Sequence, residues 1–259
     1  MKNFREELLK INRPIYYYDC LGSTNTQARV LAEGGACDGS LVLADAQDAG
    51  KGRMGRAFFS PAGSGIWMTL ILKPDLLPEK ASMLTLVAAV AGQETMMDFG
   101  IPSGIKWPND IVVHGKKVTG ILTEMKAEAD KIEYVIVGIG INVNMQTFPE
   151  ELEAVATSMA QVTGEVYDRS QIVKRFLEHF DVHYTNFVKE GDLSSLQETY
   201  NKHLIHRNKQ IHVHEIRRVW PGMSIGINSL GELLVETEEG VTALCSGELS
   251  IRGVYGYME

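Results

Sequence analysis

Between Ala49 and Pro61 the chain reads AGKGRMGRAFFSP. Lys51, Arg53 and Arg56 fall within one short stretch, interleaved with Gly50, Gly52 and Gly55. Glycines let a ligand approach backbone amides, and cations neutralise an anion, so these residue types suit a phosphate or an acyl phosphate. The G-x-G-x-x-G spacing also matches a dinucleotide fingerprint. That motif needs a helix opening at its last glycine to hold the pyrophosphate. Here a Gly/Pro loop and the strand-like GIWMTLIL follow instead, which excludes it. No GxxxxGK[ST] occurs, so a Walker A loop is excluded too. Two readings stay open: a solvated surface loop, or an anion-holding loop that orders on ligand binding.

GIKWPNDIVVHGKKVTGIL (104–122) carries a second set. Pro108-Asn109-Asp110 is a turn with capping chemistry. Lys106 and Lys117 flank apolar strands, either as snorkelling surface residues or as ligand cations. In GIGIN (138–142), Gly138 and Gly140 interrupt a Val/Ile-rich strand. Such glycines mark close approach by a ligand or tight strand–helix packing, and both readings are open. Four histidines fall at 203, 206, 212 and 214, the first two on one helix face and the last two on one strand face. No cysteine or second carboxylate joins them, so a domain-junction surface is favoured over a metal site. The acidic run at 236–239 reads as a solvated hairpin tip, and the methionines of 83–97 as helix core.

These groups need a scaffold. The 259 residues suffice for one large domain, or a domain plus a small module. A net charge of -8 argues against non-specific nucleic-acid binding. Three scattered cysteines, Cys20, Cys37 and Cys245, give no disulfide framework or CxxC motif. MKNFREELLKIN lacks a signal-peptide apolar run, and no apolar stretch reaches spanning length, so the cytoplasm is the simplest location.

A short helix is expected at 3–10 and a strand in IYYYDC. A capping box at Thr24 and Gln27 should open a helix that ends at Gly34-Gly35. Strands are expected at 40–47 and 65–74, and a helix from Pro78 to Asp98. A hairpin should turn through His114-Gly115, followed by the strand KIEYVIVGIGINVNM. Helical patterns follow at about 149–161, 168–190 and 192–203. From 207 the chain changes to short strands with Gly and Asn turns, spaced as in a small barrel or sandwich. The expected class is α+β: a mixed domain over 1–206, then an all-β unit over 207–259.

GSTN (22–25), QDAGKGRMGR with FFSP (47–61), KWPNDI (106–111), KVTGIL (117–122) and GIGIN (138–142) stand in the order and spacing of biotin–protein ligases. LCSGELSIRG (244–253) resembles that family's C-terminal segment, so the resemblance runs from about residue 13 to 253. It implies a catalytic domain like that of class II aminoacyl-tRNA synthetases, with a mixed sheet and helices, then an SH3-like domain. It implies that ATP and Mg²⁺ activate biotin as biotinyl-5'-AMP, and that biotin passes to a lysine of a biotin carboxyl carrier protein.

By this resemblance Ser23, Thr24, Asn25 and Gln47 bind biotin, with Ser23, Thr24 and Gln47 on its ureido head. Gly50, Lys51, Gly52, Arg53, Gly55 and Arg56 close over the activated acid, Arg53 touching phosphate or acyl carbonyl. Lys117 sits by the biotin carboxyl and the α-phosphate. Gly120 approaches biotin, and Asn142 approaches adenine. Lys106, Trp107, Asn109 and Asp110 line the nucleotide side, Asp110 orienting Mg²⁺ or the incoming lysine. A core role competes for Trp107. Arg252 contributes from the C-terminal domain.

Two departures matter. Met54 stands where many relatives carry a fourth cation, which bears on how firmly the adenylate is held. About twelve residues precede the first matched strand, too few for the winged helix of bifunctional members, so no DNA binding is expected. A lipoate or octanoate ligase of the same fold is the nearest rival, but its RR-x-x-GGG segment and His-Asp pair are missing. A biotin sensor without turnover is the rival from another class. Monomer and homodimer are both open, and no membrane partner is expected.

Overall fold

The computed structural model describes residues 4–215, 218–246 and 250–253, with side chains in the last segment described only at Ile251. The apolar runs become the strands of a seven-stranded sheet. These are β1 (Ile15–Leu21), β2 (Ser40–Gln47), β3 (Gly65–Leu72), β4 (Gly104–Lys106), β5 (Asp110–Val113), β6 (Lys116–Glu128) and β7 (Lys131–Asn142). Their order is β1-β2-β3-β7-β6-β5-β4. β1 and β2 run parallel and every other neighbouring pair antiparallel.

Period-2 alternation divides the two faces. Leu41, Leu43, Leu70, Val135 and Val137 share one apolar cluster with α3 (Leu84–Asp98) and α6 (Arg169–Glu190). Val42, Ile71 and Ile136 point the other way, under Ala28 and Ala32 of α2 (Thr24–Glu33). The face under α2 matters most here. Across its strands Trp67 pairs with Gly140, Thr69 with Gly138, Gly120 with Gly140, and Leu122 with Gly138. Small residues thus occupy the middle of one sheet face.

The second sheet contains β8 (Lys209–His214), β9 (Val219–Ile227), β10 (Leu233–Thr237), β11 (Gly240–Leu244) and β12 (Ser250–Gly253). Its order is β11-β10-β9-β8-β12, antiparallel throughout. Ile211, Val213, Leu233 and Val235 join the apolar cluster of the first sheet's α3 side. The expected α+β architecture, a mixed sheet with helices followed by a small all-β unit, is therefore present. The acidic run forms the β10–β11 hairpin tip.

Several expectations are corrected. Ser23, not Thr24, is the N-cap of α2, and no side chain caps it. Residues Pro78–Met83 form a 3₁₀ turn, and the α-helix begins only at Leu84; such turns are common at helix starts. The pattern at 149–161 breaks into Glu150–Glu153 and Met159–Thr163. Between them, Val155 O accepts from Lys117 N at 2.8 Å and Thr157 N donates to Lys117 O at 2.9 Å, so pairing with β6 outcompetes the helix. The helix expected at 192–203 begins at Gln197. The strand at 65 stops at Leu72. Met83 and Met96 are core residues, but Met97 is exposed. His206 lies beyond the helix ending at His203, in a turn, so those two share no helix face. No described helix is long and apolar enough to cross a membrane.

Candidate active site

The glycines of β6 and β7, beside Trp67 and Thr69 of β3, floor a hollow. A Cβ on Gly138 would lie 2.0 Å from Asn25 Oδ1, and one on Gly140 2.7 Å from the Phe58 ring. One on Gly120 would meet Lys117 Cε at 2.6 Å and Phe58 at 2.8 Å. These separations lie far inside van der Waals contact, so side chains there would fill the hollow. Gly138 bears out the packing reading by admitting the start of α2, while Gly140 and Gly120 lie under the Phe58 and Lys117 side chains.

Above this floor the start of α2 supplies a polar cluster. Gln47 Oε1 accepts from Thr24 N at 2.8 Å and from Thr24 Oγ1 at 3.0 Å. Gln47 Nε2 donates to Ser60 Oγ at 2.9 Å. The Thr69 hydroxyl lies 2.9 Å from Thr24 Oγ1 and 2.8 Å from Asn25 Oδ1. Asn25 Nδ2 donates to Glu124 Oε2 and to Leu122 O. Thr24 therefore spends its hydroxyl on Gln47 rather than on a capping box. Ser23, buried and free of capping duty, faces the same cavity.

The segment 47–60 is an ordered ribbon. Gln47 bridges Ser60, and Lys51 bridges Ala57. Phe58 N donates to Gly50 O at 2.9 Å, and Gly52 N to Arg56 O at 2.7 Å. At its tip Met54 is left-handed, with φ 56°, and is exposed. A Cβ on Gly50 would sit 2.4 Å from Phe58 O, so glycine there lets the two arms close. Lys51 Nζ reaches Thr26 Oγ1 at 3.2 Å.

Two cavities share this ribbon as a wall. The inner one, of about 40 Å³, is lined by Ser23, Thr24, Asn25, Gln47, Lys51 and Gly120, with Gly138 and Gly140. That is far below the roughly 300–1,000 Å³ of small-molecule sites, and the Phe58 ring and Lys117 side chain stand over its glycine floor. The outer one, of about 510 Å³, is lined by Arg56, Lys106, Trp107, Asp110 and Asn142. Phe148, Leu152, Val155, Ala156 and Ile251 form its apolar wall. Its size falls within the range of small-molecule sites. Gly52, Arg53, Phe58, Asn109 and Lys117 border both. Gly50 and Gly55 border neither and serve the ribbon's backbone.

Charge concentrates at that shared border. Lys117 Nζ pairs with Asp110 Oδ1 at 2.6 Å and lies 5.5 Å from the Phe58 ring centroid. Arg53 donates from Nη1 to Asn109 Oδ1 at 3.1 Å and from Nη2 to Ser246 O at 2.5 Å. Burial lowers the Arg53 pKa from its ordinary value. Asp110 opposes that shift and Arg56 adds to it. Preorganised cations in a partly dry site act strongly on developing anionic charge. Asn142 Nδ2 donates to Thr157 O at 3.0 Å. The Arg252 side chain lies outside the described residues, although its backbone pairs with His212.

Sequence reasoning missed Phe58, Thr69, Ser60 and Ser246, and the apolar wall from Phe148 to Ala156. FFSP quoted Phe58 without giving it a role; its place between a glycine floor and a lysine had no local signal. The wall residues read as ordinary helix periodicity. Among the described residues no group of three or more His, Cys, Asp or Glu side chains could hold a metal, the histidines near 206 included.

Residues 17–142 match the model of the biotin/lipoate A/B protein ligase family. Over 240 residues the chain is 40% identical to the bifunctional ligase/repressor BirA of Bacillus subtilis, covering 92% of this chain and 74% of that one. This chain belongs to the biotin–protein ligase family. It is 32% identical over 166 residues to the biotin–[acetyl-CoA-carboxylase] ligase of Mycobacterium tuberculosis, covering 62% of this chain and 60% of that one. The biotin protein ligase of Aquifex aeolicus, solved in complex with biotin and ATP, superposes with a TM-score of 0.81 at 29% identity. That match covers 93% of this chain and 99% of that one.

Proposed function

We propose that the chain is an ATP-dependent ligase that converts biotin to biotinyl-5'-AMP and transfers biotin to a lysine of a biotin carboxyl carrier protein. The observation that carries this reading is the pair of cavities meeting at Lys117 and Arg53. One is narrow, with a polar end; the other is roomy, with an apolar wall. The catalytic domain, 1–206, supplies most of both linings, and the described residues of the C-terminal domain, 207–259, add Ile251 and the Ser246 carbonyl.

The biotin ring head enters the inner cavity, where Ser23, Thr24, Asn25 and Gln47 meet the ureido group. Gln47 is already oriented by Thr24 and Ser60, which lowers the ordering cost of binding. Adenine lies against Phe148, Leu152 and Val155, near Asn142, with Lys106 and Arg56 toward the phosphates. The biotin carboxylate attacks the α-phosphorus, the bond to the β-phosphate oxygen breaks, and pyrophosphate leaves. Lys117 and Arg53 neutralise two anions brought together, and positioning supplies most of the acceleration. In the second step the acceptor lysine nitrogen attacks the acyl carbon and AMP leaves. The amine's proton passes toward Asp110, the carboxylate nearest this junction.

The donor set fits a magnesium ion carried mainly by the nucleotide. Mg²⁺ is commonly held by one or two carboxylates plus phosphates, and Asp110 is the carboxylate bordering the outer cavity. When bound, the ion neutralises phosphate charge. Lys51, Arg53 and Arg56 supply three further cations, so Met54 leaves the ribbon functional while weakening its hold on the adenylate.

The test is pyrophosphate release from ATP with biotin, lipoate or octanoate supplied separately. Release with biotin alone supports the assignment. Release with lipoate or octanoate moves the chain to the lipoate branch, and silence with all three alongside biotin binding makes it a sensor.

A further inference from the structure

Asn109 and Asp110 are delivered by a turn that is anchored from far along the chain. Trp107 Nε1 donates to Gly231 O at 3.0 Å, and Tyr200 Oη to Pro108 O at 3.3 Å. Ile205 N donates to Ile105 O at 3.0 Å, so the segment after Leu204 runs beside β4. His206 then lies directly behind the turn, fully buried. Its Nε2 is 3.3 Å from Trp107 N, and its Nδ1 is 2.8 Å from Ser224 Oγ on β9. A backbone N–H can only donate, so Nε2 is the acceptor. Nδ1 therefore carries the proton and donates to Ser224, which fixes one neutral tautomer. His206 lines neither cavity and stands behind the turn, where its ring joins the Trp107 N–H to Ser224 of the second sheet.

We propose that His206 is a positioning residue for the nucleotide side of the reaction, holding the Trp107–Asp110 turn through the Trp107 N–H and referencing it to β9. The proposal rests on the assignment of Lys106, Asn109 and Asp110 to the nucleotide. Burial supports it: the imidazole pKa falls to about 3, with Lys106 and Lys209 adding to the effect, so the ring stays a neutral acceptor. Without the ring, a buried N–H loses its partner, and the turn must shift to find another. The polar end of the inner cavity is built on α2, β2, β3, β6 and β7; of the turn's residues only Asn109 borders that cavity, whereas Trp107 to Asp110 all border the outer one.

The experiment compares His206→Phe, His206→Gln and Ser224→Ala with the wild type. It measures kcat and KM for ATP in biotin-dependent pyrophosphate release, and biotin affinity by calorimetry. His206→Phe fills the space without an acceptor. It is expected to raise the KM for ATP about tenfold, the loss of one buried hydrogen bond, and to lower kcat on the order of tenfold to a hundredfold. Biotin affinity should change far less than the KM for ATP, because only Asn109 of the turn borders the inner cavity. His206→Gln, which can accept from Trp107 and donate to Ser224, should restore most of both. Ser224→Ala frees the tautomer and should give a smaller change in the same direction. A merely structural role would lower biotin affinity and ATP parameters to the same degree, and that result overturns the proposal. Should His206→Phe fail to fold, an unchanged KM for ATP in Ser224→Ala overturns it equally. A wild type that releases no pyrophosphate overturns the ligase reading beneath it, whereas an active wild type with unaffected variants overturns the role of His206 alone.

Discussion

The two cavities that meet at Lys117 are built on different terms. The inner one sits on the sheet, and its polar side chains bond one another: Thr24 with Gln47, Gln47 with Ser60, Thr69 with Asn25. The outer one combines strand ends, among them Lys106, Asp110 and Asn142, with an apolar wall from Phe148 to Ala156 that a short helix and its flanking segments supply. Specific recognition of a small polar head needs donors fixed in advance, which strands and a helix start provide. Stacking an aromatic base needs only an apolar wall and room, which a short helix and its flanking segments can supply. The difference accords with the inner cavity being small, about 40 Å³, and the outer one roomy, about 510 Å³.

The largest expected effect falls where both cavities meet. Lys117→Ala should reduce adenylate formation on the order of 10²–10³-fold, with the fold retained because Lys117 is partly exposed. Pyrophosphate release and circular dichroism together would check this. Normal turnover would remove Lys117 from the reaction.

Gly138→Ala attacks the inner cavity alone. Its Cβ would collide with Asn25, costing about 1–3 kcal/mol of overpacking and displacing the biotin-facing amide. Biotin binding should weaken by at least tenfold, read by calorimetry, while the nucleotide wall stays intact. Val155→Ser attacks the outer wall and should raise the KM for ATP about tenfold with biotin affinity unchanged. If both variants shifted both ligands equally, the division into two cavities would fail.

The junction of the sheets carries a pH signature. His206 is held neutral far below its unfolded pKa of ~6.5. As pH falls below ~6.5 the unfolded chain gains a proton that the folded chain refuses. Stability should then drop by about 1.4 kcal/mol per pH unit down toward pH 3. Urea titrations across that range would show the slope, and His206→Gln should flatten it. The smallest effect belongs to Met54. Its left-handed backbone favours glycine, so Met54→Gly should change stability by no more than ~1 kcal/mol, read from the thermal midpoint.

Much of this was legible in the chain before folding. The short apolar runs SLVLADAQ and GIWMTLIL and the His114-Gly115 turn marked strands and hairpin, because run length and turn chemistry are local. The order of motifs brought together Ser23, Gln47, Arg53, Lys117 and Asn142, because each carried a distinctive neighbour sequence. What stayed hidden depended on distance in sequence. Thr69 reaches Thr24 across 45 positions, and Arg53 reaches Ser246 across 193. Residues 155–157 left a helical pattern to pair with Lys117. His206 looked like part of a surface histidine cluster and became a buried anchor, a change that only the meeting of the two sheets could produce.

The most direct test is a crystal structure of the protein with biotin and a non-hydrolysable ATP analogue. The biotin ring head should lie over Gly138 and Gly140 with Gln47 and Ser23 on its ureido group. Phe58 should be displaced, adenine should pack on Phe148 and Val155, and the α-phosphate should lie within hydrogen-bond reach of Lys117 and Arg53. Biotin in the outer cavity, or a nucleotide bound away from Lys117, would contradict the assignment.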